Sequence, residues 1–341
     1  MKILLLSTAF HPSIGGYETA AHLLAEHLSK NNFQVKIITY TPDPNASTYV
    51  FEVIRQPSLQ QFLSTLHWCE VYIQFSVSLK GIWQLLFIPR PLIVTHHNWM
   101  INKKNDWKGY IKKLVANFAL NIAVSHAIAA KVPIGKGKFV IGSPYQDDIF
   151  KKITDFKKKD KTLVFLGRLV SEKGADVLLN ALNILKKRHL TPDTTIIGSG
   201  PEIDNLKTIT ENFNLTQQVT FVGVKKGAEL VNLLNQHKIM VVPSLYHEPF
   251  GIVALEGIAC GCMVVASQYG GLPDAIGNCG RTFPNGDAEA LANVLQELLE
   301  NEENYRHFQE NAPQHLKNFT QTSIGNAYIR LLHEKFVKNE K

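Results

Sequence analysis

Short apolar runs alternate with helix-length patterned stretches along the whole 341-residue chain, and that alternation limits the architecture more than any single motif. In the first half, strand-like runs occur at Ile3–Ser7, Val35–Thr39, Val71–Phe75, Leu92–His96 and Asn121–Ser125, with a helical pattern near Thr19–Lys30. A second series follows with Leu163–Gly167, a helix over 174–188, Thr194–Gly198, a helix over 201–213 and Val219–Val222. It ends with a helix over 227–235, Ile239–Pro243 and Val264–Ala266. Strands interleaved with helices in this way predict an α/β class with parallel sheets. The tract from Lys151-Lys152 through Lys157-Lys158-Lys159-Asp160-Lys161 is charged, lacks periodicity and reads as a linker. Two Rossmann-like domains are therefore expected, residues 1–155 and 156–319. Ligand is expected where the carboxyl ends of the two sheets face each other across a cleft.

Composition excludes several classes. No run of eighteen apolar residues exists, so no membrane span is expected, and the apolar start Ile3–Leu6 is too short for a signal peptide. A cytoplasmic protein is the expectation. The four cysteines lack zinc spacing, because Cys260-Gly261-Cys262 has the wrong gap and Cys69 and Cys279 have no sequence partner; they read as core thiols. Charge is unevenly placed. Residues 1–155 hold 16 Lys and Arg against 9 Asp and Glu, a net of +7, while the remainder holds 20 against 20. An anionic partner is expected on the first half.

Four strand-to-helix turns carry glycines. Gly15-Gly16 follows the first strand, and such a pair lets backbone approach a phosphate closely. It is not Gly-x-Gly-x-x-Gly and lacks the P-loop Lys-Ser/Thr, so the nicotinamide and P-loop readings lose their main support. Gly167-Arg168 through Lys173-Gly174 puts two cations on one loop at a strand end, a fork and a mobile point charge suited to phosphate oxygens. Gly198-Ser199-Gly200-Pro201 and Gly270-Gly271 are the other two turns. Between them lies Glu248-Pro249-Phe250-Gly251-Ile252-Val253-Ala254-Leu255-Glu256, following the apolar run Val241-Val242. A strand, loop and helix start in that order leave the N–H groups of Phe250, Gly251 and Ile252 free for an anion. Glu248 then stands at the mouth and Glu256 about two turns inside. The ordinary alternative is a buried strand–helix junction with two incidental glutamates. The pair would be about 12 Å apart if fully helical, beyond the roughly 5–9.5 Å of paired glycosidase carboxylates. A simple hydrolase is therefore disfavoured.

Taken in order, Gly15-Gly16, His97, Gly167-Arg168…Lys173-Gly174, Ile197–Pro201, Phe221-Val222-Gly223, Glu248–Glu256 and Gly270-Gly271 resemble glycosyltransferase family 4, the glycosyl transferases group 1. The match is dense from Leu163 to about Gly280 and sparser before that. The resemblance implies a GT-B fold, two Rossmann-like domains across a cleft, and a retaining, metal-independent transfer of a hexose-type sugar from a nucleoside-diphosphate sugar to a glycan or lipid-linked acceptor. It implies that Glu256 binds the donor ribose and that the amides of Phe250, Gly251 and Ile252 bind the diphosphate. Arg168 and Lys173 would neutralise the departing phosphate, and Glu248 would lie by the sugar hydroxyls. Gly15 and Gly16 would close over phosphate and acceptor, with Gly198 also on the donor side. His97 matches the family's strand-end histidine, although a one-residue slip would exchange it with His96. No cofactor or metal is implied. The last helix, about Ser323–Phe336, resembles the one that crosses back to the first domain. The family often has a Pro-Asn-Gly-like turn before the linker where this chain reads Ile141-Gly142-Ser143-Pro144-Tyr145, and the first half is short for the family. Both departures fall on the acceptor side. A nucleotide-sugar epimerase or glycosyl phosphorylase on the same fold stays open. A basic nucleic-acid-binding protein has only the charge in its favour, and no nucleic acid is expected as partner.

One segment offers a second kind of contact. A helical reading of Lys103–Leu120 puts Trp107, Ile111, Leu114, Val115 and Phe118 on one face, with Lys104, Lys108 and Lys112 as a stripe and Lys113 beside it. Such a helix can lie on the anionic inner face of a membrane. The commoner arrangement is a surface helix whose apolar face packs on its own sheet.

Overall fold

The computed structural model of the chain describes residues 1–13, 15–45, 47–100, 106–153, 159–301 and 303–336, arranged as two compact units. The first unit comprises Met1–Pro144 and Gln321–Lys341. In chain order it contains β1 (Lys2–Ser7), α1 (Gly16–Lys30), β2 (Gln34–Thr39), β3 (Glu52–Arg55), α2 (Leu59–Trp68), β4 (Val71–Phe75), β5 (Leu92–His96), α3 (Trp107–Phe118), β6 (Leu120–Ala123), α4 (His126–Ala129) and β7 (Lys138–Val140). Its seven strands are parallel in the order β3-β2-β1-β4-β5-β6-β7. β1 and β4 are buried almost throughout, as expected of a parallel sheet covered on both faces. Right-handed crossovers divide the helices by direction of travel: α1 covers one face, while α2, α3 and α4 cover the other. On that second face Phe62 and Leu66 of α2 pack with Leu4, Leu6 and Tyr72.

The second unit spans Tyr145–Thr320. It contains β8 (Lys161–Leu166), α5 (Ala175–Lys187), β9 (Thr194–Ile197), α6 (Ile203–Asn212), β10 (Val219–Gly223), α7 (Gly227–Gln236), β11 (His237–Val242), α8 (Ile252–Ala259), β12 (Met263–Ser267), α9 (Leu272–Ile276), β13 (Gly280–Phe283), α10 (Ala288–Glu300) and α11 (Glu303–Lys317). Its strands are parallel in the order β10-β9-β8-β11-β12-β13, the doubly wound order of a dinucleotide-binding sheet. Leu178, Leu182 and Leu185 of α5 share one core with Leu291, Leu295 and Leu298 of α10 and with Phe165 and Val241 of the sheet. All four cysteines are free and buried, and burial holds the Cys69, Cys262 and Cys279 thiols up at about 11.

Three expectations need correction. The second unit begins at Tyr145, upstream of the 155/156 boundary placed in the lysine tract. The approach to the tract is tied to this unit: Tyr145 N donates to Phe319 O (3.2 Å) and Ile153 N to Asn235 Oδ1 (2.7 Å). Lys159, placed in the linker by its charge, is buried and donates to Leu234 O (3.3 Å) and Cys260 O (3.0 Å). Two satisfied carbonyls make that burial tolerable, although desolvation lowers the ammonium pKa. Second, the helix expected from Phe250 onward begins at Ile252, after Gly251 in a left-handed conformation (φ 111°). Third, α3 turns only Val115 of its apolar face to its sheet, where it packs on Val77, Val94 and Ala119. Its buried residues are Gly109 and Ala116, whereas Trp107, Ile111, Leu114 and Phe118 are exposed. Lys104 lies outside the described residues, as does much of the lysine tract.

The final helix, α12 (Gln321–Phe336), packs on α1 within the first unit. Gln321 Nε2 donates to Leu23 O (3.3 Å) and Glu26 Oε2 (3.1 Å), and His27 Nε2 donates to Asn326 Oδ1 (3.0 Å). Gly325 makes the close approach possible, because a Cβ there would lie 2.1 Å from His27 Cδ2. The hydrogen bond to Asn326 keeps that ring from swinging away. Gly325→Val should therefore cost about 1–3 kcal/mol. A urea melt checks this: the midpoint falls, and an unchanged midpoint would show that the α1–α12 contact does not hold the unit together.

Candidate active site

β8 and β11 are neighbours, but their following helices leave towards opposite faces of the second sheet, which opens a crevice at the carboxyl ends of these strands. The sequence after β8 runs Gly167, Arg168 and a 3-10 turn at Ser171–Lys173 into α5. The sequence after β11 runs Ser244 to Gly251 into α8. The two loops are laced together by main chain, since Leu245 N and Tyr246 N both donate to Glu172 O (3.0 and 3.2 Å). Gly174 permits the closure: it adopts φ 68°, and a Cβ would lie 1.9 Å from Pro243 O. Gly198 plays the same part beside Gly167, with φ 141° and a Cβ position 1.9 Å from Gly167 O.

Glu248 is the best-anchored group in this crevice. Its backbone bridges Gly270, and its carbonyl accepts from Gly271 N at 2.6 Å. Its carboxylate accepts from Lys173 Nζ at 2.5 Å and from Ser244 Oγ at 2.9 Å. Both members of the ion pair are largely sheltered, with side-chain exposures of 27% and 12%, so the pair is screened less than a surface bridge. Arg168 is exposed and has no side-chain partner among the described residues. Its guanidinium is free to meet an anion.

Beyond Glu248 the chain turns into α8. Among the described residues no side chain caps that helix, so its first N–H groups stand open, with the positive end of the helix dipole behind them. Phe250 is not at the surface: its ring is buried and packs on Phe319 at 5.4 Å, anchoring the loop while its backbone borders the crevice. Glu256, one turn into α8, is half-buried, and its carboxyl accepts no hydrogen bond among the described residues. Burial alone raises its pKa to about 7. A sheltered carboxyl without a partner is costly, and paired hydroxyls from a ligand would satisfy it.

In the first unit the two candidate histidines separate cleanly. His96 is buried, and its Nε2 donates to Asn121 Oδ1 (2.8 Å), whose Nδ2 in turn donates to Ala116 O (2.8 Å). It is a packing residue. His97 lies just past β5, stacked on Phe75 (4.9 Å between ring centres) with Tyr17 edge-on at 5.7 Å. Tyr17 is itself fixed by donating to Phe75 O at 2.5 Å. Burial, with His96 adjacent, holds the His97 pKa down to about 3, so the imidazole is neutral; its Nε2 is buried with no hydrogen-bond partner among the described residues. Gly15 and Gly16 stand at the start of α1, Gly15 extended and Gly16 its first residue.

Within the second unit the structure brings Lys173 and Glu248 into direct contact, with Glu256 and the α8 start on the same loop-helix segment. Gly15, Gly16 and His97 belong to the other unit. Sequence reasoning missed Ser244, Asn285 and Tyr17. Ser244 is a polar residue directly after a buried strand, which was a usable signal. Asn285, whose Nδ2 donates to Ser244 O (3.0 Å), comes from a distant loop and left none.

Comparison with known proteins agrees with this geometry. Residues 146–315 match the glycosyl transferases group 1 family. D-inositol 3-phosphate glycosyltransferase of Corynebacterium jeikeium is 31% identical over 206 residues, covering 58% of this chain and 49% of that protein. Glycogen synthase of Mycobacterium tuberculosis is 36% identical over 140 residues, covering 40% and 34%. The chain thus spans half or less of the length of these relatives. Anabaena HepE, solved in complex with UDP, superposes with a TM-score of 0.84 at 21% identity, covering 98% of this chain and 100% of that one. That likeness shows the fold, the GT-B arrangement of two parallel α/β domains. Through residues 146–315, the chain belongs to the glycosyl transferases group 1 family.

Proposed function

We propose that the protein is a retaining glycosyltransferase. It would move a hexose-type sugar from a nucleoside-diphosphate sugar to a glycan or lipid-linked acceptor in the cytoplasm, without a metal ion. The observation that carries this reading is the strand-order reversal between β8 and β11, where Lys173 meets Glu248 and where Arg168 and the uncapped start of α8 lie on the two bordering loops. Breaking the bond between the anomeric carbon and the diphosphate oxygen leaves positive charge on the sugar and negative charge on the phosphate. Lys173, Arg168 and the Gly251–Ile252 amides supply fixed positive potential for the second charge, the service a divalent ion gives elsewhere. The acceptor oxygen attacks from the face that the phosphate leaves, and its proton passes to the departing phosphate oxygen.

Glu248 orients Lys173 and offers its second oxygen to sugar hydroxyls. Glu256 would take the ribose diol, which explains a sheltered carboxyl with nothing to bind in the free protein. A neutral His97 is suited to hydrogen-bond a sugar and unsuited to act as an acid. Gly15, Gly16 and Gly198 let backbone come close to substrate. The basic first unit would hold the acceptor, with Lys108, Lys112 and Lys113 meeting an anionic membrane. HepE has been solved with UDP and with UDP-glucose, which makes a uridine donor the first to try here.

Two outcomes test the reading. Lys173→Ala should lower kcat by about 10²–10³-fold, the usual loss of one preorganised electrostatic contact, measured by nucleotide release with acceptor present. Turnover near the native rate would remove Lys173 from the chemistry. The second concerns Glu256, whose carboxyl moves from an ordinary 4.5 to about 7 on folding. The folded state therefore binds the extra proton between those values, and stability declines as pH rises through that window. Glu256→Gln should flatten the decline and raise the Tm relative to native above pH 7. Parallel Tm–pH curves for the two proteins would contradict the assignment.

A further inference from the structure

The face of the first sheet covered by α2, α3 and the 83–88 segment carries an apolar surface that the glycosyl-transfer reading does not use. Trp107, Leu114 and Phe118 of α3 are 62%, 57% and 66% exposed. At about 100° per residue, Trp107, Ile111, Leu114 and Phe118 form one stripe. Gly109 and Ala116, the residues α3 buries, lie about 180° from it. The helix therefore seats on its sheet through Gly109, Ala116 and the part-buried Val115, and points its largest residues outward. A helix that needed its apolar face for stability would have the opposite orientation.

A second exposed cluster adjoins it. Leu86 and Phe87 are 83% and 71% exposed, with Trp83 edge-on to Phe87 at 6.1 Å. The β4-to-β5 and β5-to-β6 connections step the same way along the sheet, so this segment and α3 lie on the same face. Leu92 of β5 joins the cluster that holds Leu85 and Ile88 and also the one that holds Val115 of α3. The two exposed clusters are thus neighbours over one strand.

Charge identifies what would cover this surface. Lys108, Lys112 and Lys113 are all exposed and flank the stripe, about 90–130° from its centre, and α3 has no acidic residue between Trp107 and Phe118. A second copy of the chain would set lysines against lysines across a two-fold axis. An anionic bilayer satisfies every part: aromatic and aliphatic groups in the interface, and lysine stems running sideways to lipid phosphates. We propose that this face docks on an anionic lipid bilayer, with the α3 stripe and the Leu86–Phe87 corner in the interfacial region and the three lysines on the headgroups. The proposal deepens the membrane contact in the functional reading and does not depend on the donor assignment.

Sedimentation of the full chain with phosphatidylglycerol vesicles tests it, with phosphatidylcholine vesicles as reference. The expected result is a strong preference for phosphatidylglycerol that weakens at 0.5 M salt, a concentration of order ten-fold above low-salt buffer. Replacing Lys108, Lys112 and Lys113 together by Ala should weaken partition about 100-fold. Leu86→Ser with Phe87→Ser should weaken it at least about 10-fold. Brominated lipid should quench a tryptophan signal that Trp107→Phe removes. All these positions are exposed, so the variants should fold and bind UDP like the native chain, which separates failure here from failure of the donor site. No preference for phosphatidylglycerol, or partition unchanged by both sets of substitutions, would overturn the proposal. Loss of a concentration-dependent dimer in the same variants, without vesicles, would assign the surface to a second copy instead.

Discussion

The contact between Lys173 and Glu248 exists because β8 and β11 lie side by side while their helices depart to opposite faces. That reversal opens a gap between the two diverging helices, and the loops on its two sides hold each other. They do so through Glu172 O, which receives Leu245 N and Tyr246 N, and through the ion pair itself. The pair is sheltered enough to be strong and open enough to be reached. An arriving diphosphate would find a lysine already positioned, an Arg168 on the same loop with no side-chain partner among the described residues, and an uncapped helix start. The reorganisation that binding would otherwise demand has been made during folding, and this preorganisation is where such sites derive their rate.

Much of this was legible in the sequence, for identifiable reasons. Buried parallel strands read as continuous apolar runs, so β1, β4, β8, β11 and β12 were located within a residue or two. The glycines at 174 and 198 marked turns because the chain comes too close to itself there for any Cβ. What failed was information that one sequence does not carry. β3, a four-residue strand of partly exposed residues, and β7, a three-residue one, bury too little to show a pattern. Lys159 read as linker because charge usually means solvent, yet two carbonyls accept its ammonium in the interior. Asn285 holds Ser244, which in turn bonds Glu248, from a position that only the fold brings near.

The α3 helix teaches a separate lesson. Periodicity located its apolar stripe correctly but carried no sign, because a face turned to the sheet and one turned outward have the same spacing. Only Gly109 and Ala116, small enough to seat a helix closely, mark the buried side. The uneven charge then gains a physical location. The excess of +7 carried by residues 1–155 is expressed on this helix by three exposed lysines beside exposed aromatic rings. On the proposed reading, donor chemistry would fall in the electrically balanced half and surface recognition in the basic half.

The most direct test of the central claim is calorimetry of UDP-, GDP- and ADP-sugars with EDTA present, comparing the native chain with Glu256→Ala. The account expects one donor to bind without metal and the substitution to abolish that binding. Binding that required a divalent ion, or that survived loss of the Glu256 carboxyl, would mean that the crevice between β8 and β11 does not hold the donor as described.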